Sequence, residues 1–575
     1  MLSVVLAAGL GVMVWQRESL PRISAGIAVL PFENLSDDKE DAFFADGVQD
    51  DVLTKLAKIA DLKVISRTSV MAYRGKRDLR QIGRALGVSH VLEGTARRSG
   101  GKVHVNAQLV DTRTDTGIWA DGYERDLKEA FAIPGEIAHK VAEQLHAKVS
   151  TAEKQDIERK PTADLTAFEL YAQARTLLST PIFSATGDAN LVQAVDLLNQ
   201  AVARDPSFFQ AYCQLAYAHD LLYFLGNDRT RARLEMAEAA IQAASHLLPD
   251  AGETHLARAE NLYRGYLNYS DALAELKVAA RTLPNDPRVF ELEGYIERRQ
   301  GRWEDAIRNL ERAADLDPRN VFILEQLALS YQLLRHYAEA ESLLDRILSS
   351  EPNNLEIQAA RAFVELDWKA DTRPLHQLIA KIRLTNPGAM QSIANYWLFC
   401  ALAERDASGA KEALISSGEN PITLANENVV FNRPFVEGVI ARMANDDASA
   451  RSAFTAARLE QEKIVEAEPN YGPALCVLGL TNAGLGQKEE ALREGWRANE
   501  LLPLDKDAVG GAEIVKYLAV IAAWVDDKDF SCEQLAIVTN RPSSISYGQL
   551  KLLPFWNSLR GDPRFEKIVN SLAPR

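Results

Sequence analysis

Cysteine is scarce in this 575-residue chain, and its four copies are far apart: Cys213, Cys400, Cys476 and Cys532 stand in helix-like apolar surroundings, with no Cys-x-x-Cys spacing and no histidine pair nearby. They read as core residues, not as a disulfide frame or metal clip. Basic excess is also missing. A formal net charge of -15 argues against broad nucleic-acid binding, which needs a dominant cationic face to displace counterions. The nine histidines are scattered, and His139 and His146 lie two helical turns apart, too far to share one metal. No phosphate-cradling Gly-x-x-x-x-Gly-Lys-Ser/Thr loop, His-Glu-x-x-His, Gly-x-Ser-x-Gly, kinase catalytic loop or dinucleotide glycine fingerprint occurs. The sequence therefore gives no reason to expect catalysis, a cofactor or a bound metal.

A long apolar run is lacking as well. Residues 1–15 carry no charge, but at 1.5 Å per residue they reach roughly 22 Å, against a hydrocarbon layer of about 30 Å. No lysine or arginine precedes them, and Arg17 and Arg22 follow. We read residues 1–22 as a membrane anchor, either a short signal-anchor or the remainder of a longer span.

What the chain does contain is a period. Pro284, Pro318 and Pro352 recur every 34 residues, Pro387 follows after 35, and Pro469 to Pro503 repeats the interval of 34. Such a period predicts stacked helix-turn-helix units. With Pro318 as position 32 of a repeat, Gly294 falls at position 8, Ala306 at 20 and Ala313 at 27, where small residues let paired helices approach. Leu324, Leu327, Ala328 and Ala340 repeat the pattern before Pro352, and Leu475, Gly479, Ala491 and Ala498 before Pro503. These are tetratricopeptide positions. The array is expected over residues 165–390, then as one or two irregular repeats and a regular one over 391–503, with a helical cap at 504–575.

In tetratricopeptide repeats the first helices line a groove at positions 2, 5, 9, 12 and 13. Here those places hold Asn261, Arg264, Arg288, Tyr295, Arg298, Arg299 and Gln332. Guanidinium groups hold carboxylates in two-pronged contacts, so the expected partner is a protein or peptide with acidic character. Glu291/Tyr295 and Glu325/Leu329 at positions 5 and 9 depart from the Lys-and-Asn clamp of repeats that bind chaperone tails.

Residues 23–150 follow another rhythm. Residues 26–32 form an apolar run of buried-strand type, and Ala42, Phe43, Val48, Val52, Leu53 and Leu56 recur at helical spacing behind Asp37, Asp38, Glu40 and Asp41. Those carboxylates do not follow a calcium-loop spacing and read as helix-start electrostatics. Val103, Val105, Ala107 and Leu109 alternate with His104, Asn106 and Gln108, as in a strand with one wet face. The order β-α-β-α-β-β-β-α predicts a mixed sheet with helices on it. The fold class is thus an α/β amino-terminal domain followed by an all-α superhelical solenoid. Arg67, Arg74, Arg77, Arg80, Arg84, Arg97 and Arg98 make this stretch locally basic, which reads as a solvated face.

The segments Ile27-Ala-Val-Leu-Pro-Phe-Glu-Asn-Leu-Ser36, Phe43-Phe-Ala-Asp-Gly47, Val64-Ile-Ser-Arg-Thr-Ser69 and Leu92-Glu-Gly-Thr-Ala-Arg97 resemble the amino-terminal-domain family of the periplasmic protein TolB, over about 125 residues. The resemblance is to bacterial proteins that place this domain between a membrane helix and tetratricopeptide repeats. It implies a location at the inner membrane with the bulk of the chain in the periplasm. It also implies a membrane-anchored interaction scaffold, or the sensory half of a receptor of transcription-regulator, kinase or nucleotide-cyclase type whose output module lies outside this sequence. An accessory of an envelope enzyme is the third expectation.

Overall fold

A computed structural model describes residues 26–574 apart from 37–41, 77, 100, 128, 180–186, 226–227 and 425–426. The expected membrane anchor at 1–22 and the acidic helix start at 37–41 lie outside the described residues. Two compact units divide the chain: one extends to Phe290 and includes Arg312–Asn320, and the other takes Glu291–Glu311 and Val321–Arg575.

The first unit holds the sheet. Strands β1 (Gly26–Val29), β2 (Glu33–Asn34), β3 (Lys63–Val64), β4 (His90–Ser99), β5 (Lys102–Asp111) and β6 (Thr116–Asp126) are ordered β3-β1-β4-β5-β6, with β2 pairing β4. β1 runs parallel to β3 and β4, while β4, β5 and β6 form an antiparallel meander. The mixed sheet expected from the sequence is present, and its last strand runs for eleven residues. Ile27, Ala28 and Val29 are fully buried because helices cover that run, whereas β5 alternates buried Val103, Val105 and Ala107 with wet neighbours. Gly94 faces the Asn106 carbonyl oxygen so closely that a Cβ there would stand 2.6 Å away, so this crossing of β4 and β5 requires glycine.

The same core continues into the first repeat helices. Phe168, on Leu165–Leu178, meets Phe131 edge-on at 5.2 Å and Phe44 at 6.5 Å, and Gly47 leaves room for its ring. Lys55 is buried and donates to the Ile157 and Arg159 carbonyls at 2.7 and 2.6 Å. The basic stretch of this domain is partly consumed at home: Arg74 holds Asp46, Arg98 holds Glu169, and Arg67 and Arg175 flank Asp50 at 3.7 and 3.1 Å. Burial pushes the Asp50 carboxyl up, but the two guanidinium groups outweigh it and hold it below the usual range.

Beyond residue 164 the described regular structure is helical. After the pairs Leu165–Leu178 with Gly187–Arg204 and Phe209–Phe224 with Arg231–Leu247, each pair turns through one left-handed residue. These are Leu267, Gly301, Arg335, Ala370, Arg405, Asn445, Gly486 and Asp526, at successive intervals of 34, 34, 35, 35, 40, 41 and 40 residues. A left-handed residue after a helix turns the chain while satisfying the last carbonyls, at no steric cost only for Gly301 and Gly486. The stretch after Pro387 resolves into two pairs, Ala394–Glu404 with Ala407–Ser416 and Arg433–Met443 with Asp447–Ala467. The expected cap contains one more pair, Gly510–Trp524 with Lys528–Thr539, before the short helices to Ser571. All four cysteines are buried and unpaired by disulfides.

Candidate binding surface of the repeats

In the first unit Asn261, Arg264 and Arg288 are each engaged. The Asn261 amide donates to Asp220 at 2.8 Å, and both are buried. Burial pushes the Asp220 carboxyl up to about 8. Arg264 stacks over the Tyr217 and Phe224 rings at 5.7 and 5.4 Å. Arg288 makes the two-pronged contact foreseen for it, but with Asp286 of its own chain, at 3.1 and 2.7 Å. Burial lowers the Arg288 guanidinium, yet the Asp286 carboxylate outweighs it and raises it well above the ordinary value.

In the second unit Tyr295 donates to Glu291 at 2.6 Å and lies under the Arg298 guanidinium at 5.4 Å. Arg298 in turn donates to Ser330 Oγ at 2.9 Å and to the Gln326 carbonyl and side chain, joining one repeat to the next. Arg299 donates to Asp507 at 2.7 Å. Gln332 is half-buried on Val321–Leu333. The seven expected residues thus divide between the two units, and Arg288 and Arg299 use their capacity for carboxylates on Asp286 and Asp507 of the same chain.

A pattern not legible in the sequence appears at position 13. Arg299, Leu333 and Asp367 follow one another at 34 residues and all touch the same returning stretch, residues 507–549. Arg299 meets Asp507, and the Arg299 carbonyl accepts from the Ala508 amide at 2.6 Å. The Leu333 carbonyl accepts from the Ser543 amide at 3.0 Å. Asp367 accepts from Ser546 Oγ at 2.6 Å and from Gln549. Arg335 completes the row by donating to the Arg541 and Ile545 carbonyls and to Ser543 Oγ. The second unit is therefore closed by its own carboxy-terminal helices along the ends of its central first helices. Gly510–Trp524 is accordingly buried on every side from Gly510 to Ala523. Beside it Glu427 accepts from both Lys516 and Tyr517, and Glu513 accepts from the Asn428 amide and side chain at 3.0 Å.

Two carboxylates at inner positions stay without an ion pair among the described residues, Glu325 at position 5 and Glu356 at position 2 of the next repeat. Burial, then Glu356 and Glu351, raise Glu325 to about 7, and burial raises Glu356. Glu325 is half-buried and Glu356 exposed, so both carboxylates are accessible on the repeats' first helices.

Residues 24–140 match the family described as HilA/YgeH-like transcriptional regulator, second domain, and residues 297–362 match the tetratricopeptide repeat family. Among curated proteins, a putative adenylate cyclase 3 of Rhizobium meliloti (strain 1021) is 35% identical over 202 residues, which are 35% of this chain and 34% of the relative. The chain thus spans about a third of that relative's length. Among solved structures, the type IV pilus biogenesis factor PilW is 16% identical with a TM-score of 0.30, over 39% of this chain and 95% of that one. Pseudomonas aeruginosa pilF is 20% identical with a TM-score of 0.29, over 37% and 91%. A human IFIT1 dimer is 14% identical with a TM-score of 0.37, over 64% and 77%. The chain contains tetratricopeptide repeats behind a small mixed sheet, the architecture its proline period and its strand alternation foretold.

Proposed function

We propose that this chain is a membrane-anchored bacterial interaction protein, tethered through residues 1–22 with its bulk in the periplasm, whose repeats receive a protein or peptide partner. The resemblance to the amino-terminal-domain family of TolB over about 125 residues from Ile27 favours the envelope location. The observation that carries the docking reading is the inner acidic pair, Glu325 and Glu356, set on a repeat scaffold and lacking a cation of its own among the described residues. It favours a partner presenting lysine or arginine rather than the acidic one expected from Arg288, Arg298 and Arg299. A preformed helical face loses little ordering entropy on binding. The test is capture of envelope proteins by the full chain, compared with Glu325→Lys and Glu356→Lys. Loss of the captured partner in both variants, with unchanged circular dichroism, is the expected result; equal capture overturns the assignment. Reporter fusions at residue 30 and at the carboxyl end, read for periplasmic enzyme activity, test the location, and inactivity of both sinks it.

A second reading has its own support. The match of residues 24–140 to a regulator domain and the likeness to a relative named as an adenylate cyclase favour a regulatory part of a signalling protein, in which partner occupancy on the repeats biases an output module. On this reading the chain itself does no chemistry. Purified and supplied with ATP and a divalent metal, it forms no cyclic nucleotide; joined to a cyclase catalytic domain, it changes that domain's rate when the captured partner is added. A rate indifferent to partner would remove the signalling reading and leave the scaffold.

A further inference from the structure

The sheet of the first unit ends on one side at β3, two residues long, and on the other at β6, eleven residues long. An open strand edge offers a row of N–H and C=O groups to any other strand, and natural edges are guarded by shortness, lysine, proline or a covering element. β6 contains neither lysine nor proline, and among the described residues no strand pairs with its outer side. Every residue from Thr116 to Gly122 is exposed or half-buried.

The ladder fixes which groups point outward. β5 and β6 pair Val105 with Tyr123 and Lys102 with Asp126, and the Leu127 amide donates to the Gly101 carbonyl at 3.2 Å in the same register. In an antiparallel ladder the N–H and C=O of one residue share a side, and sides alternate along the strand. Asp121, Tyr123 and Arg125 therefore turn their backbone toward β5, and Gly122 and Glu124 turn theirs to the open edge. Two side chains of β6 cover those groups: the Gly122 amide donates to Asp121 Oδ1 at 2.9 Å, and Arg125 donates to the Glu124 carbonyl at 2.9 Å. A negative and a positive group thus flank Tyr123 at equal distance along the strand.

We propose that β6 pairs antiparallel with the β6 of a second copy about a two-fold axis at Tyr123. In that register the Gly122 amide meets the carbonyl of the partner's Glu124, Asp121 faces the partner's Arg125, and Trp119 faces the partner's Leu127, each twice, as an isologous contact demands. Asp121 and Arg125 exchange their contacts within the chain for an opposite charge across the axis, while the backbone edge becomes paired. Arg125 also leaves Glu136, which it holds at 3.0 Å. Tyr123 supplies an independent indication: its hydroxyl is buried without a hydrogen-bond partner among the described residues, and on the axis it lies beside the partner's Tyr123. Moving the axis to Glu124 would set Glu124 against the partner's Glu124, and moving it to Gly122 would set Asp121 against the partner's Tyr123. The six-stranded sheet becomes continuous across the pair.

Sedimentation of the full chain, 63.6 kDa as a monomer, tests this. The wild type is expected to dimerise, and Asp121→Arg or Arg125→Asp alone, which set like charges opposite, should weaken the dimer by about tenfold or more. An equimolar mixture of the two variants sets opposite charges at both places and should restore it, a gain that misfolded variants cannot produce. On the wild type alone, amide exchange at Glu124 should slow as concentration rises. A wild type that stays monomeric up to about 100 µM overturns the proposal, as does a dimer indifferent to both substitutions or not restored by mixing.

Discussion

Arg299 and Asp507, 208 residues apart, form a nearly dry ion pair in the second unit, their side chains 17% and 2% exposed. Asp507 is doubly committed, since its other oxygen accepts from the Val509 and Gly510 amides at 3.0 and 2.8 Å at the head of Gly510–Trp524. Asp507→Ala strips a buried guanidinium of its counter-charge and two amides of their acceptor, so it should cost the second unit about 3–5 kcal/mol. Asp507→Asn keeps an acceptor and should cost less. Denaturant titration followed by tryptophan fluorescence checks the order; equal stability of all three proteins would refute the closing role of this pair.

Asp367 makes the same closure sensitive to pH. It is buried against Ser546 and Gln549, with Glu427, Lys516 and Arg335 among the charged groups acting on it, and burial raises its carboxyl to about 7. The sign follows from linkage. Between about pH 4 and 7 the folded chain keeps a proton that the unfolded chain releases, so stability falls as pH rises through this window, by up to about 1.4 kcal/mol per unit, and levels off above it. Burial moves Glu513 in the same direction. The unfolding midpoint of the second unit should therefore drop between pH 5 and 7.5, and Asp367→Asn should flatten that drop. An unchanged slope in the variant would contradict the assignment.

Much of this architecture was written in the sequence, because a stacked repeat advertises itself through prolines that end helices and small residues where helices touch. Ala306, Ala313, Ala340, Ala491 and Ala498 are all fully buried as their positions required. The binding face was harder. Position numbering finds which side of a helix points inward, but it cannot show that Asp286 two residues away takes Arg288, or that residues 507–549 return to position 13 of three repeats. Nor could spacing reveal the turns after Pro387, since Arg405 and Asn445 adopt left-handed backbone without the glycine that usually announces it.

Gly548 tests how tightly the returning stretch is seated. A Cβ there would overlap the Leu366 carbonyl oxygen and lie 2.8 Å from its carbon, backbone atoms that cannot swing aside. Gly548→Ala should destabilise the second unit by about 2 kcal/mol or more. Gly388, with open space around it and ordinary φ, is the control, and Gly388→Ala should be neutral or slightly stabilising. Thermal scanning of the two variants distinguishes them; matching transitions would show that the contact yields.

Asp317 performs a corresponding task within the first unit. It is 1% exposed, accepts from Ser69 Oγ at 2.5 Å and from Asn320 at 2.9 Å, and thereby fastens the turn after Trp303–Leu316 to the short helix Arg67–Met71. Two backbone bonds run alongside, from the Ser66 amide to the Leu316 carbonyl at 2.9 Å and from the Arg319 amide to Ser69 Oγ at 2.9 Å. Asp317→Ala leaves a buried hydroxyl and amide seeking partners, a loss of about 2 kcal/mol. Because Asp317 acts at one turn outside the strand ladders, the loss should be felt locally. Amide exchange at Ser66 and Arg319 should accelerate by about tenfold or more, while amides of β4 and β5 stay protected. Acceleration spread evenly over the sheet would instead show that the turn and the strands open as one body, and no acceleration at Ser66 would show that the Asp317 bond contributes nothing to holding them together.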